Sequence, residues 1–428
     1  MMEEWKKTEI GLMPIDWEVN RIDNFFSIQQ GKQVSKKNRI GDNQKPFLRT
    51  KNIFWGRLDL DELDQMNFTK SEEEKYELKK GDLLVCEGGS VGRTAIWDGA
   101  ISGCYYQNHL HRVRRLTKNT IPEFVSYWFY YAFEFGKVYF GRANETTLSN
   151  LSKSRLSELH IPHPELNEQR KIAYVLSTIQ KAIEQQDKLI KTTTELKKAL
   201  MQKLFTEGLY GEKQKQTEIG PVPESWEQIK IGELGRCITG TTPRTKIEEY
   251  WNNPDYDFIA PADIGTTKYI YKSEKQISEA GLGVSRVLPK NSVMCVCIGS
   301  SIGKVGLTYQ EKSSTNQQIN SIICSDSYYP VYVYYLLLQL SEYWRSHATF
   351  GPVPILNKGQ FEQIKIYVTK DKAEQKEIAS SLELLDTKIE FHEKKKQTLT
   401  DLLKTLLHEL MTGQRRVHEI EFENGLEL

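Results

Sequence analysis

Residues 8–18 read TEIGLMPIDWE, and residues 217–227 read TEIGPVPESWE. Seven of the eleven positions are identical, 209 residues apart, and the phrase does not recur alone. FLRTKNI (47–53) is answered by FIAPADI (258–264), and KKGDLLVCEGGSVGR (79–93) by PKNSVMCVCIGSSIGK (289–304) with one residue of slippage. NLSKSRLSELHI (150–161) is answered by ILNKGQFEQIKI (355–366), and NEQRKIAYVLSTIQKAIE (167–184) by AEQKEIASSLELLDTKIE (373–390). The matches keep one order, so the chain is a tandem duplication. Each copy is a globular segment followed by a helical one. A solenoid needs roughly three or more repeats; two make a pseudo-dimer within one chain.

The bulk composition sets wide bounds. At 428 residues, 39% hydrophobic and 27% charged, the chain has room for several domains with their own cores and is not of the disordered class. A net charge of +1 excludes a polycation, so any nucleic-acid binding must rest on local positive charge. The first ten residues, MMEEWKKTEI, are charged throughout and do not read as a signal peptide. YYPVYVYYLLLQL (328–340) is too short to span a bilayer and reads as a buried helix. The six cysteines, at 86, 104, 237, 295, 297 and 324, form no C-x-x-C pair. Cys295 and Cys297 alternate with Met294 and Val296 as in a buried strand. These features predict a cytoplasmic protein with reduced thiols and no membrane partner.

The helical segments carry a heptad seam. Ile378, Leu382, Leu385, Ile389, His392, Lys396, Leu399, Leu403, Leu406 and Leu410 step by four and three without a slip. Shifted back 206 residues, the seam becomes Ile172, Leu176, Ile179, Ile183, Gln186, Ile190, Thr193, Lys197, Leu200 and Leu204. Both seams are apolar at the ends and polar in the middle. A helix of that length runs to roughly 60 Å and needs a partner; the nearest is its own duplicate. The pattern predicts an antiparallel coiled coil with pseudo-twofold symmetry, its buried Gln, His and Lys fixing register. Asp371 is placed to cap the second helix with Glu374 three residues on, and Gly208 and Gly413 stand where the helices should stop.

Three stretches imitate catalytic motifs. IGSSIGKV (298–305) has three residues between Gly299 and Gly303 where a Walker loop has four, and Val305 where a hydroxyl is needed. It reads as a glycine turn between strands. NNPDY (252–256) approaches an amino-methyltransferase tetrad but has Asp255 in place of the second proline. His109 and His111 in QNHLHRVRR (107–115) read as one polar strand face, with no third ligand at a metal-binding spacing. No nucleophile–base pair or carboxylate pair stands out, and no catalytic or metal-ligating residue is expected.

With the halves aligned, the chain resembles, along nearly its whole length, the DNA-specificity subunit of type I restriction–modification systems. The resemblance rests on the twin openings, the turns GGSVGR and GSSIGK, the helix entries IPHPELNEQRKIAYVL and IYVTKDKAEQKEIASSL, and the exits KKALMQKLFTEG and LKTLLHELMTGQRR. It implies an α+β fold of two target-recognition domains, each a twisted, mainly β core with flanking helices followed by a long helix. The boundaries are 1–165 and 210–370 for the domains, 166–209 and 371–414 for the helices, and 415–428 for a C-terminal tail. Function follows from the resemblance too: each domain reads half of a split sequence in double-stranded DNA, and the helices set the unread gap. The subunit does no chemistry. It docks two methyltransferase subunits and, through them, restriction subunits; S-adenosylmethionine, ATP and Mg are expected on those partners and none on this chain.

Under that reading, the candidate DNA contacts in the first domain are Lys32, Lys36, Lys37, Arg49, Lys51, Arg57, Arg93 and Arg142, with Asn144 as a base reader. In the second they are Arg244, Lys246, Lys268, Lys304 and Arg345, with Asn316 and Gln317 able to bond adenine. Trp17 and Trp226 read as core anchors. Two other classes remain in view: a coiled-coil interaction scaffold with two binding heads and no DNA role, and a solitary DNA methyltransferase, which would bind S-adenosylmethionine by itself.

Overall fold

The computed structural model describes residues 5–140, 150–265, 267–349 and 351–417. The chain forms two compact units. One comprises residues up to Lys188 together with those from Glu393 onward; the other is Leu189–His392. Each contains one globular head and a stretch of both long helices.

The repeated opening phrase folds the same way in both heads. Strands Trp5–Thr8 and Gly11–Pro14 form a hairpin, as do Gln214–Thr217 and Gly220–Pro223. Thr8 Oγ1 donates to the Gly11 carbonyl at 2.8 Å and accepts from the Ile10 amide at 3.3 Å. Thr217 repeats this with Gly220 at 2.7 Å and Ile219 at 3.3 Å. Gly11 and Gly220 sit at φ 117° and 102°, which is why glycine closes the phrase. The amides of Trp17 and Trp226 then bond to the carbonyls of Pro14 and Pro223, each at 3.1 Å, swinging both indoles into the cores. Both tryptophans are fully buried, as anchors should be.

The first head's central sheet runs, in spatial order, Thr94–Ile96, Leu83–Cys86, Leu110–Arg115 and Phe26–Gln30. The second head's runs Val305–Thr308, Val293–Val296, Ile319–Cys324 and Gly235–Thr239, with Tyr269–Ile270 added on the outer edge. A three-stranded sheet joins each. Gln44–Leu48 pairs in parallel with Tyr105–Tyr106, and Tyr256–Ile259 with Ser313–Thr315. The apolar runs LLVC and VMCV are buried at every residue because both sheet faces are covered. Helices Pro122–Phe129 and Pro330–Gln339 supply part of that cover, and the second is the buried helix expected from its sequence. No helix among the described residues is long and apolar enough to cross a membrane.

The long helices span Leu166–Glu207 and Lys372–Met411. They end slightly before the expected 209 and 414, because Gly208 and Gly413 take left-handed φ of 69° and 72°. Asp371 caps the second helix by accepting the Ala373 amide at 2.8 Å. The expected capping box does not form: Glu374 instead accepts the Leu209 amide at 3.2 Å, tying the start of one helix to the end of the other.

The antiparallel arrangement is visible inside each unit. In the first, Glu168 meets Arg416 at 2.7 Å and Asp187 meets Lys396 at 2.5 Å, so one helix ascends as the other descends. In the second, Glu374 meets Leu209 while Asp386 meets Lys197. Every seam residue is buried or half-buried. Ile172, Leu176, Ile183, Leu403, Leu406 and Leu410 share a core with the first head, and Leu204, Ile378 and Leu382 share one with the second. Burying each such side chain contributes roughly 1.5–3 kcal/mol, which binds head and helices into one unit.

Candidate nucleic-acid interface

Strand register decides which loops come together. In the first head Leu110 pairs with Cys86, and His111 with Gln30. The segment after Gln30, the turn Glu87–Arg93 and the turn Gln107–His109 therefore emerge at one end of the sheet. In the second head Thr239 pairs with Asn320 and Val296 with Ile319, so the segment after Thr239, the turn 297–304 and residues 316–318 emerge at the corresponding end. Both ends are pinched shut by glycine. A Cβ on Gly31 would lie 2.2 Å from the Gln107 carbonyl oxygen, and one on Gly240 2.1 Å from that of Asn316. Any other residue there would force these loops apart.

Most of the nominated cations lie at these ends, but in different states. Lys36, Lys37, Lys51 and Arg57 are exposed. The Arg57 guanidinium lies over Phe54 at 4.7 Å, and that of Arg93 approaches the same ring at 5.3 Å. Arg93 is further held by its bond to the Thr50 carbonyl at 2.7 Å. Arg49 pairs with Asp64 at 2.8 Å and keeps part of its surface. Lys32 is different: it is buried, bonded to the Asn67 carbonyl at 2.6 Å and to Glu72 at 2.7 Å. Burial opposes ionisation of the Glu72 carboxyl, but hydrogen bonds from Lys32 and Thr69 outweigh it and hold the group below its ordinary range. The charge of Lys32 is spent inside the head. Arg142 and Asn144 lie outside the described residues.

In the second head Arg244 and Lys246 are exposed. Lys304 is half-buried, with its ammonium 3.3 Å from the Pro261 carbonyl. Arg345 packs over the Gly299–Gly303 turn and pairs with Glu342 at 3.4 Å. Lys268 is directed to the helix instead, pairing with Glu383 at 2.6 Å beside Tyr269 and Tyr335. The Asn316 amide closes its own turn, donating to Gln318 Oε1 at 2.9 Å and accepting the Gln318 amide at 3.0 Å. Gln317 is exposed, with Oε1 accepting from Thr242 at 2.6 Å, and is the better placed of the two to meet a base edge.

Two cations at these ends escaped the sequence reading. Arg39 is exposed in the first head's loop, 3.5 Å from Asp64. Arg286 lies beside the second head's sheet end, donating to the Thr239 carbonyl at 2.8 Å. Adjacency in KKNR was a usable signal for Arg39; Arg286 comes from a remote segment and had none.

The motif look-alikes resolve structurally. Gly299 and Gly303 stand at φ 94° and 105° in a turn between strands, without the helix a phosphate loop requires. His109 and His111 do not share a strand face as expected. His109 lies in the turn, 3.7 Å from Glu87, whereas His111 is buried in the strand with Nε2 on the Leu151 carbonyl at 2.9 Å. Burial raises the thiols, Cys86 to about 11 and Cys104, Cys237, Cys297 and Cys324 to about 12, far from a reactive thiolate.

The type I restriction modification DNA specificity domain model matches the chain twice, over residues 14–192 and 223–401. A putative type I restriction enzyme MjaX specificity subunit from Methanocaldococcus jannaschii is 27% identical, covering 97% of each chain. The HindI specificity subunit from Haemophilus influenzae is 30% identical over 45% of this chain and 42% of its own. In fold, the chain is similar to the type I system S subunit from M. genitalium, with a TM-score of 0.58 at 20% identity over 92% of this chain and 96% of that one. A chain from a study of complex assembly and conformational transition of the type I R-M system gives 0.56 at 14% identity, over 94% and 99%. The chain belongs to the type I restriction–modification DNA specificity family, with one family domain in each half.

Proposed function

We propose that this chain is a non-catalytic specificity subunit that reads a split target in double-stranded DNA, one head per half-site, with the helix pair setting the unread gap. The observation that carries the reading is the repeated sheet end. Both heads gather three loops at the same topological position, and each presents exposed cations there, with Gln317 in the second head exposed to reach a base edge. Lysine and arginine on phosphates fix orientation, and side chains on base edges choose sequence. A spacer of fixed length turns half-site recognition into recognition of a defined separation.

Docking of two methyltransferase subunits, and of restriction subunits through them, has its own support. On the second unit's helices Leu189 and Leu196 are exposed seven residues apart, as are Leu384 and Phe391. Apolar residues repeated at heptad spacing outside the seam suit a further helix laid along the pair. The S-adenosylmethionine, ATP and Mg consumed in methylation and restriction belong to those partners, and the complex is cytoplasmic.

Exchanging residues 1–165 for those of a relative tests the reading, with the modified DNA motif mapped in a host supplying the methyltransferase. One half of the motif should change and the other remain. A change in both halves, or no methylation motif attributable to this chain, would favour the scaffold reading.

A further inference from the structure

A cleft in the first unit lies at the other end of the central sheet. Leu83–Cys86 begins there and Leu110–Arg115 ends there, about 13–20 Å from the reading loops at 3.3 Å per residue. The cleft, of about 820 Å³, opens between that sheet end and the first long helix. Lys79, Lys80 and Arg115 line it from the head, and Arg170 and Lys181 from the helix. All five are exposed, and none forms an ion pair with another described residue. Asp82 adds little opposing charge, because Arg114 holds it by two bonds of 2.7 Å and the Lys79 amide by a third. Glu123 is the remaining acid in the lining. The floor is apolar and aromatic: Ile121, Pro122, Ala173 and Tyr174.

The duplication provides a control within the chain. Lys79, Arg115 and Lys181 correspond to Pro289, Cys324 and Thr387 in the second copy. Lys80 corresponds to Lys290, which is paired with Glu311 at 3.7 Å, and Ser177 to Glu383, which holds Lys268. The second copy folds without the cation cluster, so the fold does not require it. Convergent unpaired cations repel one another and raise the energy of the empty cleft; an anion relieves that repulsion.

We propose that this cleft is a binding site for a nucleoside phosphate, with the phosphates among the five cations and the ring on the Tyr174 floor. The volume and the combination of apolar floor with a few convergent polar groups suit a small ligand. A DNA backbone is the poorer fit, since the cleft is concave and faces away from the reading end. The site binds without turnover. It stands or falls independently of the DNA reading.

Calorimetry of the full chain with ATP tests it, alongside tripolyphosphate, a four-nucleotide single strand and hexaglutamate. ATP should bind once per chain. The triple substitution Lys80→Ala, Arg115→Ala, Lys181→Ala should weaken it roughly tenfold or more by removing charge-assisted contacts. Lys290→Ala with Lys376→Ala, at the second copy's positions for Lys80 and Arg170, should leave it unchanged. All substituted side chains are exposed, and an unaltered circular dichroism spectrum and thermal midpoint would show the triple variant folded. No ATP binding at millimolar concentration, or binding indifferent to the triple substitution, would overturn the site. Equal affinity for tripolyphosphate would overturn the ring subsite. Tighter binding of the single strand or of hexaglutamate would reassign the cleft to nucleic acid or to an acidic protein segment.

Discussion

The glutamine in each helix's first turn shows how one side chain can join a head to its stalk. Gln375 is fully buried, accepts the Tyr329 amide at 2.7 Å and donates to the carbonyls of Ser327 and Thr369 at 3.2 and 3.0 Å. Gln169 makes the same three bonds, to Ile121, Asn119 and Pro164. Replacing Gln375 with Ala strands a buried amide and two carbonyls, and should cost about 3 kcal/mol in a urea titration. The recurring Glu-Gln pair was legible in the sequence as a mark of the helix entry, but its bonds were not, because two of the three at each glutamine reach a loop some fifty residues away. His111 gives a second test. Burial lowers its pKa below the ordinary 6.5 despite the bond to Leu151 and the nearby Glu87, and Nδ1 has no hydrogen-bond partner among the described residues, so protonation would bury a cation that Glu87 only partly offsets. The unfolded state binds the proton more readily, so this contribution is complete above about pH 6.5 and is lost as pH falls toward the depressed folded value. Urea midpoints should drop between pH 7.5 and 5.5, and His111→Gln should flatten the drop.

Along the helices, the polar middle of the seam is paired rather than merely tolerated. Lys197 is bonded to Asp386, which also accepts from Tyr335, and Lys396 is bonded to Asp187 at 2.5 Å. Asp386→Ala leaves Lys197 largely buried without its counter-ion and should destabilise the second unit by about 3 kcal/mol, read as a lowered denaturation midpoint. Replacing Lys197 and Asp386 together with Leu should restore most of that loss and loosen register, detectable as altered cross-linking between cysteines placed on the two helices. The seam itself was legible because burial on one face imposes a period on every turn. Asp187 and Asp386 flank the seam, where a lone carboxylate reads as a solvated charge, and only the antiparallel pairing gives each its lysine. The reading loops are the least legible elements. Strand register brings Arg39 and Arg286 to sheet ends that no local pattern marks.

For the whole molecule, the duplication fixes what must be tested. Two heads of one topology, each packed on antiparallel stretches of the same two helices, make the helix pair the element that sets spacing in the proposed function. Seven residues added to each helix would lengthen it by roughly 10 Å, about three base pairs of duplex at 3.4 Å each. Inserting one heptad into both helices at matched seam positions preserves the apolar period and both heads. The decisive measurement is methylome sequencing of a host expressing the methyltransferase partner with the native chain or with this insertion. The account predicts a bipartite motif whose gap widens by about three base pairs while both half-sites stay the same. A contiguous motif, or a gap unchanged by the insertion, would contradict it.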